Sequence, residues 1–81
     1  MEIKILGGGC AKCKRLEKLA REAVDNLGVE ATFTKVKDMQ AIMAYDVMTT
    51  PALVIEGEVK CSGRVPRQAE IVAWLEAAHA A

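Results

Sequence analysis

The order of local patterns along this chain predicts an α/β fold, β-α-β-α-β-β-α, with a four-stranded mixed sheet and helices on both faces. Three observations carry that reading. A long amphipathic helical stretch separates two β-rich runs, a continuously apolar run follows a proline, and a second helical stripe closes the chain.

Glu2 to Leu6 is the first β-rich run, with Ile3 and Ile5 on one face and Leu6 on the other. Gly7-Gly8-Gly9 breaks it and suits a tight passage from strand to helix. Leu16, Leu19, Ala20, Ala23, Val24 and Leu27 then recur at helical spacing, and Gly28 is placed to end the helix. Glu17/Arg21 and Lys18/Glu22 sit at supportive i,i+4 spacing on what reads as a solvated face. Val29 to Val36 reads as a second strand, parallel to the first because a long helix joins them. Thr32, Thr34 and Lys35 suit an edge position there. Asp38 is placed to cap a short helix running to about Tyr45, with Met39, Ile42 and Met43 facing inward. Ala52 to Ile55 is apolar throughout, as a buried central strand should be. Glu56-Gly57-Glu58 provides a turn, and Val59 to Ser62 returns as the other arm of a hairpin, with Val59 and Cys61 sharing a face. Pro66 stands near the start of the last helix, whose stripe is Ile71, Trp74, Leu75 and Ala78.

The 81 residues suffice for one domain, 1–81, and no repeat or linker divides them. Eleven basic and eleven acidic side chains balance to a net charge of zero. A nucleic-acid binder would carry a basic excess, so nucleic acid is not expected as a partner. No apolar run approaches the roughly 20 residues of a membrane span, and no signal-peptide pattern opens the chain. A cytoplasmic protein with no membrane partner is the expectation. Aromatic residues are few, so the core must be aliphatic.

Two of the three cysteines stand as Cys10-Ala11-Lys12-Cys13. In a reducing compartment such a pair implies reactive chemistry or metal binding rather than a structural staple. Cys10 falls immediately before, or on, the first turn of the long helix. Unpaired N–H groups and the positive dipole end stabilise a thiolate there, and Lys12 and Lys14 add positive charge. The thiolate is the attacking species, so Cys10 is the expected nucleophile. Cys13, one turn on, can reach the same sulfur, resolve a mixed disulfide and close a Cys10–Cys13 bridge.

The sequence around Gly7-Gly8-Gly9-Cys10-Ala11-Lys12-Cys13, Thr49-Thr50-Pro51-Ala52-Leu53-Val54 and Gly63-Arg64-Val65-Pro66 resembles the thioredoxin superfamily. It is most similar there to the small redox-active disulfide proteins of archaea and bacteria, over essentially the whole chain. The resemblance implies a thioredoxin-like fold and a thiol–disulfide oxidoreductase, a carrier that reduces protein disulfides with no cofactor beyond its own dithiol. It implies that Cys10 attacks, Cys13 resolves, Pro51 is cis, and the backbone of Thr50 pairs with an extended substrate segment. Disulfide-containing proteins would be the substrates, a flavin-dependent or thiol reductant would restore the dithiol, and the protein would act as a monomer. Ordinary thioredoxins carry Trp-Cys-Gly-Pro-Cys, whereas Gly9 precedes Cys10 here. Their buried acid, which assists the resolving cysteine, falls by simple offset at Lys4.

Other assignments compete. C-x-x-C also forms half of a zinc site, so a zinc- or copper-binding module is an alternative. Heavy-metal-associated domains place this motif before a first helix too, but they end in a strand. A thioredoxin-fold adaptor docking a partner beside Pro51 is a third reading. Cys61 reads as a small buried hydrophobe, with a regulatory disulfide or a metal-ligand role as alternatives. His79, near the end of the last helix, reads as a surface residue favoured by the helix dipole. Tyr45 and Met48 could line a groove beside the dithiol or simply pack.

Overall fold

A computed structural model describes residues 1–7, 9, 11–47 and 49–80. The elements run β1 (Glu2–Leu6), α1 (Ala11–Leu27), β2 (Thr32–Val36), α2 (Met39–Met43), β3 (Ala52–Ile55), β4 (Glu58–Ser62) and α3 (Gln68–Ala80). The four strands form one mixed sheet in the order β2-β1-β3-β4. β1 is parallel to β2 and antiparallel to β3, while β3 and β4 form the hairpin. The hairpin turns through Glu56 and Gly57, both at positive φ (50° and 78°), which matches the right-handed twist of the arms.

Alternation along the strands divides the apolar residues into two layers. Ile3, Ile5, Leu53, Ile55 and Cys61 face α1 and α3, where Leu16, Ala20, Ile71 and Leu75 complete the larger core. Leu6, Ala52 and Val54 face the other way and pack with Ile42 and Val47. Helices therefore cover both faces, and the α/β architecture read from the sequence is the one observed. All four residues of β3 are buried because the strand lies between β1 and β4 with a core on each side.

Several boundaries differ from the sequence reading, each for a physical reason. β2 begins at Thr32 rather than Val29, because β1 offers no partner before Glu2. The chain from Val29 is instead tied down by the Met1 carbonyl, which accepts from Thr32 N–H at 2.8 Å. α2 is only five residues long and turns a single side chain, Ile42, into the core. Met39 and Met43 are 65% and 63% exposed, so the expected inward methionine pair is corrected. Asp38 occupies the N-cap position of α2, but its side chain makes no capping hydrogen bond. α3 starts at Gln68, with Pro66 buried before it; the Glu70 carboxylate accepts from Arg67 N–H at 2.9 Å, the reciprocal arm of a capping box.

The expectation that Val59 and Cys61 share a face also fails. Val54 pairs with Val59, but Leu53 pairs with Cys61, so the register shifts by one residue at Lys60. This β-bulge sends Val59 to the smaller core and Cys61 to the larger one.

The layers assign different weights to residues that look alike in sequence. Leu53→Ala, which empties a fully buried site between β1 and β4, should cost about 2–5 kcal/mol in denaturant unfolding. Met43→Ala, on an exposed face, should stay within about 0.5 kcal/mol of the unaltered chain.

Candidate functional site

The site is built where β1 ends, α1 begins and the segment before β3 returns to the sheet. Gly7 N–H donates to the Val36 carbonyl at 2.9 Å, so β1 remains paired with β2 up to the glycine. Cys13, in the first turn of α1, is 4% exposed. Its sulfur rests directly on Gly7. A methyl group on Gly7 would overlap Cys13 Sγ and would stand 3.7 Å from Thr50 Cβ. Gly7, Cys13 and Thr50 therefore converge, although 43 residues separate the ends of that set.

Thr50 is exposed, Pro51 is buried, and the peptide bond between them is cis. The Pro51 carbonyl accepts from Gly63 N–H at 2.9 Å, which ties this corner to the end of β4. A side chain at Gly63, which has φ +76°, would come 2.5 Å from Thr49 Oγ1, so a larger residue there would displace the Thr49 side chain. Lys12 is exposed on α1. Cys10 and Met48, named in the sequence reading, lie outside the described residues. The structure thus brings Cys13 and Thr50 to the same glycine, with Pro51 following Thr50 across the cis bond, and leaves Lys12 exposed on α1.

Lys4, at the offset of the thioredoxin buried acid, lies on the opposite face of the sheet from Ile3 and Ile5, opposite Val54 of β3. Its ammonium donates to Tyr45 Oη at 2.9 Å and sits 3.5 Å from Glu2. The Tyr45 hydrogen bond, then the Glu2 charge, raise the Lys4 pKa, so it is a fixed cation at the smaller core. Tyr45 is accordingly rim packing of that core. Among the described residues no polar or charged side chain is fully buried, so none reproduces the buried acid.

One acidic residue does lie near Cys13, on a helix face that its i,i+4 pairing alone suggests is solvated. Glu17 is one helical turn from Cys13, its side chain is only 16% exposed, and both residues line the same pocket. Its carboxylate takes Lys35 on one oxygen and Arg21 on the other, each at 3.0 Å. The Lys35 hydrogen bond is the largest cause of its lowered pKa, with Arg21 adding to it, so Glu17 is a carboxylate at neutral pH. The signal was present as the i,i+4 spacing of Cys13 and Glu17.

Cys61 is buried in the larger core, and burial pushes its thiol pKa up. It is a packing residue by its surroundings. His79 is exposed in the last turn of α3. Among the described residues no three His, Cys, Asp or Glu side chains gather to hold a metal, and no helix is long and apolar enough to cross a membrane.

A mixed four-stranded sheet carrying a cysteine on the first turn of α1, beside a cis-proline that opens β3, defines a thioredoxin-like protein. A family model described as a thioredoxin domain matches residues 1–76, and the chain belongs to the thioredoxin family. It is 48% identical over 71 residues to a thioredoxin of Methanothermobacter thermautotrophicus, covering 88% of this chain and 92% of that protein. It is 33% identical over 69 residues to a thioredoxin of Methanocaldococcus jannaschii, covering 85% of this chain and 79% of that one. The family supports a thioredoxin-like redox function.

The seat of Cys13 can be tested directly. Gly7→Ala should force the Cys13 side chain to rotate off its seat. Maleimide labelling of Cys13 in the reduced, folded protein should then accelerate by about tenfold or more, since thiol reactivity follows exposure. Unchanged labelling would show that the sulfur does not rest there.

Proposed function

We propose that this chain, residues 1–81 acting as one unit, is a thiol–disulfide oxidoreductase that reduces protein disulfides through Cys10 and Cys13. The observation that carries the reading is the packing of Cys13 Sγ against Gly7, beside Thr50 and Pro51, in a chain of the thioredoxin family.

The reaction follows from the roles of the two thiols. The Cys10 thiolate attacks a substrate disulfide; a Cys10–substrate S–S bond forms and one substrate thiolate leaves. The Cys13 thiolate then attacks the Cys10 sulfur, which releases the second substrate thiolate and leaves a Cys10–Cys13 disulfide. Two electrons pass to the substrate, and its thiolates take up protons. Thr50, exposed next to the Pro51 corner, offers backbone to an extended substrate segment, in the manner of strand addition. Lys12 adds positive charge near the attacking thiolate. A flavin-dependent reductase or a thiol reductant restores the dithiol, in the cytoplasm, with the chain as a monomer and with no cofactor. Burial of Cys61 in the larger core supports leaving it out of the cycle.

A glutathione redox series, with alkylatable thiols counted by mass, tests this. The expected result is a reversible two-electron change confined to Cys10 and Cys13. Cys13→Ser should abolish turnover and trap a mixed disulfide on Cys10. Thiols that stay reduced across the series, with zinc bound to the purified protein, would overturn the assignment in favour of a metal module.

A further inference from the structure

The pocket onto which Cys13 opens has a consistent charge. It measures about 240 Å³ and lies between the start of α1 and the end of β2. Gly7 and Cys13 line it, and its charged residues are Lys14, Lys35, Lys37 and Glu17. Both oxygens of Glu17 are already engaged by Lys35 and Arg21. Lys14 and Lys37 have no ion-pair partner among the described residues, so positive charge prevails around a pocket that reaches a cysteine. Four larger hollows elsewhere lack that chemistry, since none of them is lined by a cysteine.

We propose that this pocket binds a small anionic thiol, of the size and charge of mercaptopropionate, and that such a thiol is the reductant that restores the dithiol. The part concerning the reductant rests on the oxidoreductase reading above; the part concerning the pocket does not. The ligand's carboxylate pairs with Lys14 and Lys37, and its sulfur lies toward Cys13. The volume admits a few heavy atoms beyond the sulfur and excludes a folded polypeptide. The bound thiolate forms an S–S bond with one sulfur of the Cys10–Cys13 disulfide and expels the other cysteine as a thiolate. A second thiolate attacks the small molecule's sulfur, releasing the remaining cysteine thiolate and the symmetrical small disulfide. Two thiolates have supplied two electrons, and the protein thiolates take protons from water.

Three thiols that differ in charge provide the test: mercaptopropionate, mercaptoethanol and cysteamine. Rates of reduction of the oxidised protein are compared, thiol by thiol, between the unaltered chain and Lys14→Ala/Lys37→Ala. At low ionic strength the variant should lose about fivefold with mercaptopropionate, the loss fading as salt screens the lysines. Any loss of the Lys14 charge at Cys10 is shared by all three thiols, so the loss with mercaptoethanol should be smaller than with mercaptopropionate, and that with cysteamine smaller again. Equal ratios for all three thiols would overturn the proposal while leaving the oxidoreductase reading intact. If no Cys10–Cys13 disulfide forms, the oxidoreductase reading fails and, with it, the reductant role. Binding then decides the pocket alone. Methylthiopropionate, which cannot react, should give saturable amide shifts at Gly7, Gly9, Lys35 and Lys37 that disappear in the double variant. Absence of those shifts in the unaltered chain would overturn the site itself.

Discussion

Where β1 ends, residue 7 must do without a side chain, because the sulfur of Cys13 fills the space a Cβ would need. Much of the site's geometry follows from that contact. It brings the first turn of α1 against the end of a central strand, and Thr50 approaches the same glycine. The strand end is in turn immobilised by the Gly7–Val36 hydrogen bond, and the Pro51 corner by the Gly63–Pro51 bond. A reactive pair on a loop would lose entropy in being aligned; in the proposed dithiol one partner, Cys13, is already packed at the end of the strand.

The sheet supports this arrangement through two unequal cores. The larger one, under α1 and α3, fixes the helix that bears Cys13. The smaller one, with Ile42 and Val47, holds the chain as it returns toward Pro51. The bulge at Lys60 lets β4 serve both, since Val59 and Cys61 fall on opposite sides of the sheet. Charges stay outside: Lys4, Glu17 and Glu70 all find partners at the rim of the cores rather than within them.

Much of this was legible from residues alone. The period of Leu16, Ala20, Ala23 and Val24 located α1, and the alternation of Ile3, Ile5 and Leu6 assigned the faces of β1 correctly. The edge position of β2 and the burial of β3 were also readable, from polar threonines and an unbroken apolar run. What escaped depends on register and on distant partners. Simple alternation put Val59 with Cys61, because a bulge leaves no mark in a strand of ordinary residues. Met39 and Met43 read as core because a five-residue helix has too little length for periodicity to say which side faces in. The linear offset that selected Lys4 for the place of a buried acid ignored the face on which it sits. Glu17 was missed because its burial depends on Lys35, which lies on a different element.

Family and fold support a thioredoxin-like redox function, and the proposal that Cys10 is the attacking thiol turns on the state of that thiol. The decisive measurement is a pH titration of thiolate absorbance in reduced Cys13→Ser protein, where burial raises the pKa of the remaining Cys61 thiol. The account predicts one thiolate ionising below the free-cysteine value of about 8.5, and its loss when Cys10 is also replaced by serine. A protein that shows no thiolate until the pH exceeds that value would contradict it.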